Sequence, residues 1–143
     1  QLPTAASGFD EQILLTEPFI ALVAKSHPAA KQRRISLTRL SQDSFILYKG
    51  RARDTALNAC RKAGFEPKIA CESGELETIR ALVGAGLGVA ILPELAGKLA
   101  GSPCVAVRLQ GDIVERQVAL LRRHGQELSP SAAVFQRILE DLR

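Results

Sequence analysis

Apolar residues recur at helical spacing at Leu76, Ile79, Leu82 and Val83, which turns one stripe of a helix towards a core. Gly84 and Gly86 stop that helix, because glycine accepts the left-handed cap conformation without a Cβ clash. Val89-Ala90-Ile91-Leu92 follows without alternation, the pattern of a strand buried on both faces, and Pro93 ends it. Pro67-Lys68-Ile69-Ala70-Cys71-Glu72 upstream reads as another strand, so the stretch predicts one right-handed βαβ unit.

The same reading extends along the chain. Residues 1–11 are polar and predict a loop, and Ile13-Leu14-Leu15 is a short apolar run. Glu17-Pro18-Phe19-Ile20-Ala21-Leu22-Val23-Ala24 predicts a buried strand, and Pro28 after His27 forces a turn. Ser36-Leu37-Thr38-Arg39-Leu40 predicts a short helix capped by Ser36, and Ser44-Phe45-Ile46-Leu47-Tyr48 a strand. Lys49-Gly50-Arg51-Ala52-Arg53 links it to a helix over 54–63, with Leu57 and Cys60 on the inner face and Gly64 closing it. Further on come a short helix over 94–99, a turn at Gly101-Ser102-Pro103, strands over 104–109 and 116–121, and a turn at Gly111-Asp112. Ser129 caps a last helix with Pro130 at its first position and Phe135, Ile138, Leu139 and Leu142 as its stripe. Strands alternating with helices predict an α/β fold with a mostly parallel sheet flanked by helices.

The glycines at 84, 86 and 88 do not form a dinucleotide-binding fingerprint. That motif follows a strand and opens a helix, whereas these follow a helix and precede a strand. At 143 residues and 46% apolar content, the chain supports one domain or two small lobes. It has no apolar run long enough to cross a bilayer. The first residues lack both a signal-peptide layout and an initiator methionine, which predicts a cytoplasmic fragment or processed product. Cys60, Cys71 and Cys104 are widely spaced and read as buried reduced thiols; two isolated histidines, His27 and His124, supply neither a zinc site nor a nucleophile partner. No metal, cofactor or catalytic residue is expected. The net charge of +4 comes from dispersed groups, Lys31, Arg33 and Arg34, then Lys49, Arg51 and Arg53, then Arg122 and Arg123, with no nucleic-acid-binding signature.

In an open α/β sheet, ligands gather beyond the C-terminal ends of strands, where helix N-termini converge. Two such corners are predicted. Lys49, Gly50 and Arg51 form one, and Ser73, Gly74 and Glu75 the other. Amide N–H groups, the Ser73 hydroxyl and the cations Lys49, Arg51 and Arg53 suit a carboxylate or similar small anion. Glu75 and Glu77 act against it, and Ser73 could equally serve only as a helix cap.

Several stretches carry a family resemblance: Glu17-Pro18-Phe19-Ile20-Ala21-Leu22-Val23 with His27-Pro28, Ile35-Ser36-Leu37-Thr38-Arg39-Leu40, Ala63-Gly64-Phe65-Glu66-Pro67, and above all Glu75-Leu76-Glu77-Thr78 through Gly84-Ala85-Gly86-Leu87-Gly88-Val89-Ala90-Ile91-Leu92-Pro93. Together with Leu128-Ser129-Pro130-Ser131-Ala132-Ala133-Val134-Phe135, they resemble the effector-binding domain of LysR-type transcriptional regulators over nearly the whole chain. The resemblance implies two lobes of the type 2 periplasmic-binding-protein kind closing on a small molecule. Residues 25–116 would be the second lobe, and 1–24 with 117–143 the hinge strands and part of the first. The winged helix-turn-helix and the first-lobe ligand loop would be missing, so apolar surface from Ile13 to Leu22 and along the last helix would need a cover. Of the two cysteines used by the family's peroxide-sensing branch, Cys60 falls near the second while Arg51 stands at the first, which argues against thiol sensing.

The reading that results is a non-enzymatic sensor with Ser73, Gly74, Glu75, Lys49, Gly50 and Arg51 at a small anionic effector. It would touch DNA only through an absent N-terminal domain, act as a homodimer or homotetramer and contact no membrane. The alternative is a periplasmic-type solute-binding protein on the same fold; an enzyme on that fold has no positive residue in its favour.

Overall fold

A computed structural model describes residues 7–98, 103–111 and 114–142. The elements in chain order are β1 (Phe9–Ala24), two 3-10 turns (Pro28–Lys31 and Leu37–Leu40) separated by β2 (Arg34–Ile35), β3 (Ser44–Tyr48), α1 (Arg51–Lys62), β4 (Lys68–Ser73), α2 (Leu76–Gly84), β5 (Ala90–Pro93), α3 (Glu94–Gly97), β6 (Cys104–Leu109), β7 (Glu115–Arg123) and α4 (Pro130–Asp141). The expected loop over 1–6, the end of the short helix at Leu99, and the turn residues Gly101, Ser102 and Asp112 lie outside the described residues.

Contacts divide the chain into two compact units, Pro18–Glu115 and Gln1–Glu17 with Arg116–Arg143. In the first, strands run in the order β2-β6-β1-β5, and β3 joins through a parallel bridge between Phe45 and Val89 with β4 beyond it. β2 pairs with β6, and β3 with β4, in parallel. β1 runs the other way and pairs antiparallel on both sides, Ile20 opposite Leu92 and opposite Arg108. The expected mostly parallel sheet therefore needs correction at β1. An unbroken apolar run marks a central strand but carries no sign of its direction.

Alternation decides the core. Phe19, Ala21 and Val23 of β1, Phe45 and Leu47 of β3, and Ile91 of β5 join the layer under α1, with Ala52, Ala56, Leu57, Ala59 and Cys60. Ile20 and Leu22, Ile46, Ala90 and Leu92 point the opposite way, into the layer under α2 with Ile79 and Val83. Successive side chains on a strand face opposite sides, so each of these strands is buried twice. Arg80 is buried on the same arc of α2, its guanidinium bound to Glu77 and to the Ala96 carbonyl oxygen. The α2 stop matches its sequence: Gly86 has φ +79°, and its N–H and that of Leu87 donate to Val83 and Leu82 carbonyls. Gly88 is needed for a different reason, since a Cβ there would lie 2.6 Å from the Ser44 carbonyl oxygen beside the β3 bridge.

The second unit holds residues 9–17 of β1, then β7 and α4, and β7 pairs with β1. Residues 9–11, expected in a loop, are strand; their ladder hydrogen bonds come from a partner distant in sequence, which polarity alone does not register. Glu17 is buried and takes the Arg116 guanidinium. Ser129 caps α4 by accepting the Ala132 N–H at 3.3 Å, as its sequence predicts. No residue of α4 is buried. Of the apolar stretch expected to be exposed, Ile13 is, but Phe19 to Leu22 are not, because β5 and β6 flank them.

Candidate functional site

The parallel pairing of β3 and β4 puts Tyr48 opposite Ser73, and the Lys49 N–H donates to the Ser73 carbonyl oxygen at 2.9 Å. Both strands therefore end at one rim, and the chain leaves each of them side by side. A Cβ on Gly74 would be 4.0 Å from Lys49 Cδ, which shows how closely the two bends approach. All six residues expected at a ligand, Lys49, Gly50, Arg51, Ser73, Gly74 and Glu75, are brought together there.

Local chemistry differs from expectation in two places. α1 starts at Arg51 and not at Asp54, so Arg51 and Arg53 occupy its first turn and not a linker. Gly50 caps it at φ +93°, a conformation open to glycine, and Ala52 continues the buried spacing of Ala56 and Ala59. Ser73 is not the cap of α2. It ends β4, and its hydroxyl accepts the Glu75 N–H at 3.0 Å, leaving Glu75 as N-cap without a side-chain cap bond. Ser36 likewise occupies a cap position without capping, its hydroxyl bonded to that of Thr38.

The charges on the rim are unequal. Arg53 Nε donates to Glu72 Oε1 at 2.8 Å and Nη1 to Asp54 at 3.3 Å; the Glu72 hydrogen bond, above all, raises its already high pKa. Its charge is spent on holding the two corners together. Lys49 and Arg51 are exposed on the same rim, and of the first-turn amides of α1 the Arg53 N–H is taken up by the Gly50 carbonyl oxygen at 3.0 Å. Glu77, expected to oppose an anion, is turned to Arg80.

The other candidate chemistry is structural. His27 Nδ1 accepts the Ala29 N–H at 3.1 Å and Nε2 meets Asp43 at 3.2 Å, which caps and pins the turn at Pro28. Cys60 is fully buried, and burial, with the Glu66 carboxylate second, pushes its thiol up to about 11. A thiol so placed is a poor nucleophile. Among the described residues no three His, Cys, Asp or Glu side chains are grouped to hold a metal ion, and no helix is long and apolar enough to cross a membrane.

Two features escaped the sequence reading. The buried Glu17–Arg116 pair has only one local hint, a carboxylate inside an apolar run. The cations Arg33, Arg34, Lys98 and Arg108 line one groove, although their sequence positions are scattered.

A layered α/β unit whose helix starts share one strand rim is built as a small-ligand-binding domain. The chain belongs to the LysR substrate-binding domain family, whose model matches residues 1–143. It is 36% identical over 137 residues to the transcriptional dual regulator GltC of Bacillus subtilis, covering 94% of this chain and 46% of that protein. HinK, a LysR family regulator from Pseudomonas aeruginosa, superposes with a TM-score of 0.83 at 23% identity over 95% of this chain and 49% of its own. The Synechocystis CcmR regulatory domain, solved in complex with 2-PG, gives a TM-score of 0.82 at 20% identity over 99% of this chain and 70% of its own. The chain spans about half the length of the curated relatives it matches.

Proposed function

We propose that this chain is the ligand-sensing part of a LysR-type transcription regulator and takes a small anionic effector on the rim formed by Lys49, Gly50, Arg51, Ser73, Gly74 and Glu75. The observation that supports the reading is the 2.9 Å bond from the Lys49 N–H to the Ser73 carbonyl, which sets the two helix starts side by side. Backbone N–H groups and the α1 dipole favour a negative group, and Lys49 and Arg51 add charge at the same place. Family membership favours this over a periplasmic solute-binding protein, and the CcmR domain, with its 2-PG, is a neighbour of the same fold that holds a small molecule.

Residues 25–116 form the effector-binding lobe in this reading, and 1–24 with 117–143 belong to the other lobe and its hinge strands. The effector acts by binding one arrangement of the regulator more tightly than another, the difference in affinity being the whole of the signal. A DNA-binding domain attached to the chain reads that shift, in a homodimer or homotetramer. No step in this sequence of events is a chemical reaction.

Calorimetry on the intact protein with a panel of small carboxylates and phosphate esters tests the site. Arg51→Ala is expected to weaken the best binder about tenfold or more, the loss of one charge-assisted contact. Unchanged affinity would take Arg51 out of the site.

A further inference from the structure

At the far end of the sheet from that rim, β2 and β6 pair in parallel with Arg34 directly opposite Arg108. Like charges in register on neighbouring strands repel each other. Here they are joined by Arg33 and Lys98 around an open groove of about 1000 Å³, to which Gln32 and Gln110 add amide groups. Among the described residues a single carboxylate answers them: Glu94 holds the Lys98 ammonium and stands 3.9 Å from Arg108 Nη2. Arg33 and Arg34 have no carboxylate partner among the described residues. Among the described residues, four cations against one acid leave an uncompensated charge in a concave place, and guanidinium forks match phosphate and carboxylate oxygens in pairs.

We propose that this groove is a second ligand site, which binds a small multivalent anion bearing phosphate or several carboxylates. The anion lies across Arg34 and Arg108, relieves their repulsion, and is flanked by Arg33 and Lys98. A nucleic acid fits less well, because the cations converge on one groove instead of tracking along a face, and the lining has no aromatic side chain on which a base could stack. The strands β6, β1, β5 and β3 lie between β2 and β4, so the site is independent of the rim and of the effector reading given to it.

Two probes test it by calorimetry on the intact protein at fixed ionic strength: inorganic pyrophosphate and propane-1,2,3-tricarboxylate. At least one is expected to bind saturably, one per chain, and the one that binds tighter tells phosphate from carboxylate recognition. Arg34→Gln is expected to lower that affinity at least tenfold, with a Tm in the absence of probe that holds or rises as the repulsion goes. Should Arg34→Gln cost stability, Arg33→Gln, outside the β2–β6 ladder, is expected to show the same loss of affinity. Absence of saturable binding by both probes, or binding that survives both substitutions, overturns the proposal. Binding lost in Arg51→Ala but kept in Arg34→Gln assigns the anion to the rim and overturns the groove, leaving the effector reading in place.

Discussion

α1 and α4 each run for twelve residues, and each carries an apolar stripe in its sequence, yet they end in opposite surroundings. α1 buries Ala52, Ala56, Leu57, Ala59 and Cys60 against β3 and β5. α4 has the larger side chains, but Val134, Phe135 and Ile138 are about half exposed and Leu142 is 78% exposed. A helical stripe states that a face needs a partner; it does not state that the partner lies within the same stretch of chain. α4 is held largely by local devices, Pro130 at its first position, the Ser129 cap and the Gln136 to Glu140 hydrogen bond at 2.9 Å, with Gln12 Nε2 of β1 donating to Glu140 at 3.3 Å. Covering its stripe would stabilise by about 0.7–1.5 kcal/mol for each half-exposed large side chain, roughly half the value of a full burial.

The contrast can be broken most sharply by truncation. Leu57→Ala is expected to cost about 2–5 kcal/mol, from lost transfer energy and the cavity left behind. Ile138→Ala in the same chain should stay within about 0.5 kcal/mol, as exposed substitutions do. Urea unfolding measures both, and an equal cost at the two positions would mean that α4 has a cover.

A smaller effect sharpens the α1 side. The Cys60 thiol is raised from 9.0 to about 11 because burial disfavours the thiolate, so its neutral form is favoured in the folded state. Below about 9 the thiol is protonated whether folded or not, and the contribution is intact; stability is lost as pH rises from about 9 towards 11. Cys60→Ala should remove that part of the alkaline loss, and iodoacetamide at pH 8 should leave Cys60 unmodified in the folded chain. Rapid alkylation of Cys60 would show that the α1 layer opens.

The smallest expected effect belongs to the exposed unit. His124 Nδ1 at 2.9 Å, and then Arg122 at 3.1 Å, hold the Asp10 carboxyl below its ordinary 3.8. Its contribution is present above that value and is lost as pH falls through the lower folded pKa. An NMR titration should place Asp10 below 3.8 and move it upward in His124→Ala. A midpoint unmoved by that substitution would mean that the pair does not form in solution.

Much of the fold was legible because it follows local rules. The strand at Ser44 to Tyr48, the α2 stop at Gly84 to Gly86 and the Ser129-Pro130 start of α4 each depend on residues within a few positions of one another. The rim was legible for a related reason: helix starts after parallel strands have few places to go. What misled was also local. Polar Asp10 and Glu11 read as loop though they lie in β1, and the cap role weighed for Ser73 beside ligand contact fails because β4 extends through it.

By itself, then, the sequence determined which stretches form helices and strands and which faces of them repel water, though not every boundary, since those depend on backbone preference and period. Only the tertiary structure decided that β1 runs against its neighbours, that Arg34 faces Arg108, that Glu17 meets Arg116, and that α4 leaves its stripe about half exposed. Pairing between distant segments is set by which surfaces are left to bury once the local elements exist, and no short stretch of chain contains that information.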